Sequence, residues 1–181
     1  EYLSNDIRTD AISTDHEAFE KVENESRKRN SQLLENAGNR SVESFHRELG
    51  KIVWDHCGMS RNKNDLEKAI ETIKDLKAEF WTNVSVPGEE NVINPELAKA
   101  GRVADFIELG ELMMRDALAR DESCGGHFRE EHQTKEGEAL RDDANFAFTS
   151  AWEFSGEEKN PKLNKETLEF ENVQLTQRSY K

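Results

Sequence analysis

The side chains best equipped for chemistry crowd into one stretch, Asp121 to Asn145, where a charged helical run ends at Gly125 and Gly126 and is followed at once by His127 and Arg129. Zinc prefers thiolate and imidazole ligands and closes a structural site with four of them. Cys124, His127 and His132 offer three, at a spacing that matches no standard pattern, so the sequence predicts no metal site. Cys57 beside His56, with His46 upstream, has the residue types of nucleophilic catalysis. Adjacent positions on a helix point about 100° apart, however, so His56 faces away from Cys57 and an inert, buried thiol is expected.

Carboxylates give the next candidates. Di-iron bundles need a Glu-x-x-His pair on each of two facing helices, and here the pattern occurs once, from Glu43 to His46, so Glu48, Glu108 and Glu111 read as a solvated face. Met113 and Met114 near Phe106 have the character of a ligand groove, but methionine fills core gaps so readily that packing is the stronger reading. The chain has no G-x-G-x-x-G, no phosphate loop and no G-x-S-x-G, so nucleotide binding and serine hydrolysis lack their local signatures. No catalytic, cofactor-binding or metal-binding residue is assigned.

Composition narrows the possible partners. A formal charge of -13 and a pI near 4.9 oppose nucleic-acid binding, which requires clustered Lys and Arg to displace counterions, and they disfavour anionic lipid. Direct membrane insertion is not expected, since no apolar run approaches the roughly 20 residues that span a bilayer. The two cysteines are far apart and suit a reducing cytoplasm, with a single bridge left open. Leu, Ile, Val and Phe supply about a fifth of the residues, near the roughly 20% level below which charged chains lose their fold. A core is affordable only if the helices pack together.

Four helices must position these residues. Thr14 with Glu17 forms a capping-box pattern for the first, which carries a thin stripe of Phe19, Val22, Leu33 and Ala37 and stops at Gly38. The second runs from about Ser41 to Cys57 with Val42, Phe45, Leu49, Ile52 and Val53 in helical register, and Gly58 ends it. Asn64 is read as the cap of the third, whose stripe is Leu66, Ile70, Ile73, Leu76, Phe80 and Val84. Asn94, Pro95 and Glu96 read as cap, first helical proline and acidic first turn of the fourth, which reaches about Arg120. Apolar residues lie around so much of this last helix that it is expected at the centre of the bundle, buried on several faces.

Beyond Ser123 glycines multiply, and Phe146, Phe148, Trp152 and Phe154 suggest one or two short strands or an extended arm. Leu168, Phe170, Val173 and Leu175 predict a strand-like tail. Such arms are marginal without a surface to lie against. The expected fold is mainly α: an antiparallel three- to four-helix bundle, spectrin-repeat-like, followed by an extended C-terminal arm with short β-strands.

Residues 100–131, A-G-R-V-A-D-F-I-E-L-G-E-L-M-M-R-D-A-L-A-R-D-E-S-C-G-G-H-F-R-E-E, with R-D-D-A-N-F at 141–146, resemble the C-terminal region of succinate dehydrogenase and fumarate reductase flavoprotein subunits. H-R-E-L-G-K-I-V-W-D-H-C-G-M-S-R-N at 46–62, F-W-T-N-V-S-V-P-G at 80–88 and the terminal Q-R-S-Y-K extend the likeness over essentially the whole chain. The resemblance implies a structural and assembly domain whose parent holds FAD, interconverts succinate and fumarate, and passes electrons to an iron-sulfur subunit and a quinone-linked membrane anchor. It also implies a cytoplasmic chain, the parent resting peripherally on the cytoplasmic face of the inner membrane. The family's flavin-binding and dicarboxylate-binding motifs match no position here. The isolated chain is therefore expected to be inactive. Opening at Glu1 without Met, it is expected to be an excised or processed piece, with residues 1–12 a linker from an absent flavin domain, 13–122 the bundle and 123–181 the turn and arm.

In the family the turn often reads E-S-R-G-x-H. Glu122, Ser123, Gly125 and His127 agree, and Cys124 stands where arginine is common. On that resemblance, and because glycine permits close backbone approach, the turn is expected to dock on a neighbouring surface. Glu122, Ser123, Gly125, Gly126, His127, Arg129, Arg141, Asp142 and Asp143 are the expected interface residues. The plainer alternative for the turn is a helix end with exposed polar side chains. For the chain as a whole the alternative is a free-standing acidic helical interaction domain without enzymatic activity.

Overall fold

Each long helix begins where a polar side chain can satisfy the otherwise unpaired amides of its first turn. A computed structural model describes residues 14–89, 92–156 and 159–176, so the proposed linker at 1–12 and the Q-R-S-Y-K ending lie outside the described residues. Helix α1 spans Glu17–Glu35, and its cap is His16, whose Nδ1 accepts from the Ala18 amide at 3.1 Å. Thr14 is not the cap: it stands in the turn before the helix. Phe19 and Val22 are exposed, and only Leu33 of α1 is buried. The expected stripe therefore packs only at its C-terminal end.

Strand β1, Arg40–Ser41, leads into α2, Val42–Cys57, where the Ser41 hydroxyl accepts from the Ser44 amide at 3.2 Å. Helix α3 covers Lys63–Asn83. Asn62 caps it, accepting from the Asp65 amide at 2.9 Å, which corrects the expectation of Asn64, a residue of the first turn. Strand β2, Val84–Ser85, pairs in parallel with β1. Gly38 does not end α1, whose C-cap is Asn36. Instead a Cβ at Gly38 would fall onto the Asn83 carbonyl, so glycine is needed for the chain to pass this closely beside the end of α3.

Helix α4, Pro95–Ala119, starts as the sequence predicts, with Asn94 accepting from the Leu97 amide at 3.0 Å and Pro95 in the first turn. It packs against α1, α2 and α3. Phe45, Leu66, Ile73, Phe80, Val103, Ile107 and Met114 are buried between the helices, and Phe45 meets Phe80 edge to face at 5.2 Å. Fully burying side chains of this size contributes roughly 1.5–3 kcal/mol each. Gly110 lets α2 approach, since a Cβ there would lie 3.1 Å from Leu49 Cδ1. The girth of α4 is nevertheless not fully covered: Phe106, Leu109 and Met113 remain exposed. The expectation of burial on several faces holds towards the other three helices and fails on this side.

After α4 the chain forms a loop, a single helical turn α5 (Asp143–Phe146), and an antiparallel hairpin of β3 (Phe148–Glu153) and β4 (Lys162–Thr167). The Trp152 indole N–H donates to Asp116 of α4 at 2.8 Å and fastens the hairpin to the bundle. Residues 168–176 contain no strand, and Leu168, Phe170, Val173 and Leu175 are exposed, so the predicted strand-like tail is absent from the described residues. With no neighbouring edge to bond, its alternating pattern has nothing to pair with.

Candidate functional site

The Gly125–Gly126 segment is a tight turn between two residues that bond each other's backbones. The Cys124 amide donates to the His127 carbonyl at 2.8 Å and the His127 amide to the Cys124 carbonyl at 3.0 Å. Gly125 has φ 59° and needs glycine's freedom, while no positive φ occurs at Gly126. Ser123, fully buried, closes the base of the loop: its hydroxyl accepts from the Arg129 amide at 2.8 Å and donates to the Arg129 carbonyl at 3.1 Å.

Arg129 is 1% exposed and points inward. Its guanidinium donates to the Ala117 and Leu118 carbonyls at 3.1 and 3.4 Å, while Asp121 and Glu131 flank it, both at 3.2 Å. A cation at the C-terminus of a 25-residue helix satisfies orphan carbonyls and opposes the negative end of the dipole. The expectation that Arg129 reaches out from the turn is thus corrected by its use as an internal cap. Glu122 is also turned inward, 2% exposed, accepting from Arg120 at 2.8 Å and from the Asp142 amide at 2.8 Å.

His127 is half-buried between two elements. Its Nε2 lies 2.8 Å from the Arg120 carbonyl and its Nδ1 2.7 Å from the Arg61 guanidinium. A carbonyl only accepts and a guanidinium only donates, so the ring is neutral with its proton on Nε2. Burial holds its pKa below the ordinary imidazole value, with the positive charges of Arg61, Arg129 and Arg120 acting in the same direction. Two backbone bonds, from the Arg61 amide to the Phe128 carbonyl and from the Glu130 amide to the Arg61 carbonyl, tie the loop to the α2–α3 connection. Neither Arg61 nor Arg120 was singled out by the sequence reading, because a residue that bonds across the fold leaves no periodic or capping signal.

The remaining expected interface residues lie on the arm side. Arg141 holds Asp143 through two bonds of 2.9 and 2.6 Å and donates to the Thr176 carbonyl at 3.0 Å, which pins the tail. Its guanidinium pKa is raised, chiefly by the Asp143 hydrogen bond. Asp142 accepts from the Asn145 amide and side chain in the single turn of α5. The fold therefore brings together Glu122, Ser123, His127, Arg129 and Asp142, leaves Gly125 and Gly126 outermost, and sets Arg141 and Asp143 beside the tail.

The rejected chemistries can be placed too. Both nitrogens of His127 are committed, and His132 Nε2 faces Asp121 at 2.8 Å, so these rings are not aimed at a common ion with Cys124; among the described residues no such group of three ligands occurs. Cys57 is buried, which pushes its thiol pKa up and suppresses the thiolate. Glu48, Glu108 and Glu111 face Arg40, Lys77 and Arg115 respectively and do not converge. Among the described residues the glycine-rich turn and the helix starts do not combine in the way a pyrophosphate cradle requires. Pyrophosphates sit on open helix N-termini behind glycine-rich turns, but all four long helices here are capped by their own side chains, and the Gly125–Gly126 turn leads into no helix.

Comparison with known proteins finds a match over residues 46–180 to the family described as fumarate reductase flavoprotein C-term. The fumarate reductase flavoprotein subunit of Haemophilus influenzae is 25% identical over 114 residues, covering 63% of this chain and 18% of that protein. An uncharacterized FAD-dependent oxidoreductase of Methanocaldococcus jannaschii is 32% identical over 100 residues, 55% of this chain and 17% of that protein. The chain thus spans less than a fifth of the length of these curated relatives. Among solved structures, the FrdA chain of an E. coli quinol fumarate reductase variant superposes with a TM-score of 0.75 at 23% identity, covering 90% of this chain and 27% of that one; at that identity the likeness speaks for the fold.

Proposed function

Because the chain belongs to the fumarate reductase flavoprotein C-terminal family, whose parent flavoproteins bind FAD, we propose that it is the structural and assembly domain of a flavoprotein subunit that interconverts succinate and fumarate. The parent passes electrons to an iron-sulfur subunit and a quinone-linked membrane anchor, and rests peripherally on the cytoplasmic side of the membrane. Among the described residues no helix is long and apolar enough to cross a membrane. The chain's own part is mechanical: it supplies a packed bundle and a loop held at a fixed angle.

The observation that carries this reading is the family match over residues 46–180, which takes in most of α2, all of α3 and α4, and the loop together. The loop geometry supports it. Arg129 and Ser123 lock the loop from inside, and what remains outermost is the Gly125–Gly126 edge, with His127 behind it and Arg141 and Asp143 beside the tail. This is a shape suited to docking rather than to turnover. The interface residues so assigned act through the loop's form where they are buried and by contact where they are exposed.

Two measurements test the proposal. The 181-residue chain, given FAD, succinate and an artificial electron acceptor, is expected to show no turnover; succinate-dependent reduction would overturn it. In the polypeptide of the complete reading frame, deleting the segment should reduce recovery of the assembled complex much more than turnover per bound flavin. An equal fall in both would point to a part in the chemistry, and a reading frame without a flavin domain would remove the premise.

A further inference from the structure

The uncovered side of α4 is continued by α2. Trp54 is 80% exposed, and with Phe106, Leu109 and Met113 it lines one apolar groove of about 370 Å³ between the two helices. His46 stacks on Phe106 at 5.8 Å across the groove. Scattered apolar side chains on a surface need no explanation, but a contiguous patch with a large aromatic residue marks a place where something binds.

The groove ends at Gly58, whose carbonyl accepts from Arg61 Nε at 3.3 Å. Arg61 differs from the other arginines of this corner. Arg120, Arg129 and Arg141 each face a carboxylate, whereas among the described residues none lies within ion-pair distance of Arg61, whose side-chain partners are the neutral ring of His127 and the Gly58 carbonyl. On a chain of net charge -13, a guanidinium without its own carboxylate at the mouth of an apolar groove fits a partner that presents apolar side chains next to an Asp or Glu.

We propose that the α2–α4 groove is covered by the flavin-binding portion of the parent polypeptide, with a carboxylate of that portion facing Arg61; this rests on the function proposed above. Two observations select this occupant. The match covers less than a fifth of the curated relatives, so in proteins of that length most of the polypeptide is tethered nearby at high effective concentration. A second copy is disfavoured because it would join two chains that each carry a net charge of -13.

Hydroxyl-radical footprinting tests the proposal, since Trp and Met side chains react according to their exposure. Labelling of Trp54 and Met113 is compared between the 181-residue chain and the polypeptide of the complete reading frame, with buried Met114 as the internal reference. At least a tenfold fall at Trp54 and Met113 in the longer polypeptide is expected. Trp54→Glu with Arg61→Glu should restore Met113 labelling there; Trp54 is open to solvent while Arg61 is half-buried and bonded to His127, so unchanged melting of the short chain is the control that its fold is intact. Full labelling of the groove with protection at residues 124–127 would overturn the groove assignment and leave the assembly role standing. No protection anywhere would overturn both. Protection that grows with the concentration of the short chain would identify a second copy, and protection that needs another purified subunit would identify that subunit; either overturns the proposal.

Discussion

The bundle from Val42 to Ala119 and the arm from Ser123 to Thr176 are held together by different forces. The bundle buries contiguous aliphatic and aromatic side chains, with Phe45, Leu66, Ile73 and Phe80 all inaccessible. In the arm, Phe148 is the one hydrophobic residue that reaches burial among the described residues, and its order comes from directed polar bonds: Arg129 to the end of α4, Arg120 and Asp142 to Glu122, Arg141 to Asp143 and the tail, Trp152 to Asp116. Apolar packing tolerates small changes of angle, whereas a bidentate or charge-assisted bond does not. A region built the second way is suited to presenting a surface at a defined orientation.

The contrast can be broken most forcefully from the bundle side. Phe80→Ala should cost about 3–5 kcal/mol, read as a lower denaturant midpoint, and should destabilise both regions because the arm is anchored on α4. Next comes Arg129→Ala, which strands the Ala117 and Leu118 carbonyls and should cost about 2–3 kcal/mol, as expected for buried bonds to a charged group. Its signature is regional: amide exchange should accelerate in residues 121–141 well before it does in α3. Equal acceleration in both would mean that the two regions are not separable.

Acid supplies a smaller, graded test. His127 has a folded-state pKa below that of a free imidazole, so the unfolded chain takes up a proton as pH falls through about 6.5 while the folded loop does not. Stability should therefore decline below about pH 6.5 until the folded-state pKa is reached, with no contribution above that range. His127→Asn should flatten this part of a melting-temperature profile. It should leave the deeper acid loss from Glu43, whose carboxyl is held at about 2 by Lys99 and Arg47 and whose contribution disappears as pH falls from the ordinary 4.5 towards that value. The mildest change, Trp152→Phe, removes one indole hydrogen bond and should cost about 0.5–1.5 kcal/mol, with loosening confined to the β3–β4 hairpin. Loss reaching α4 would show that the hairpin supports the bundle.

The same division explains what could be read in advance. Helices α2 to α4 announced themselves because burial imposes a 3.6-residue period and because Ser41 and Asn94 cap within a few residues of what they satisfy. Even locally, two acceptable caps of one type, Asn62 and Asn64, could not be told apart without knowing where the α2–α3 connection turns. The inward direction of Arg129 was illegible, since its partners Ala117 and Leu118 are defined only once the loop has folded back. The exposed face of α4 was missed for a related reason: Phe106, Leu109 and Met113 satisfy any apolar count, and nothing in a sequence says which neighbour is to cover them. Gly38 looked like a helix stop because close approach to Asn83 involves a residue distant in sequence.

The parallel bridge of Arg40 with Val84 and Ser41 with Ser85 joins the start of α2 to the finish of α3. Since the connection at 58–62 already links their opposite ends, the two helices form a closed noncovalent ring, clasped by backbone at one extremity and by covalent chain at the other. Neither can peel away from its free end. Fraying of this pair must begin with release of the clasp, so slow amide exchange in the first turn of α2 and the last turn of α3 should rise and fall together under mild denaturant.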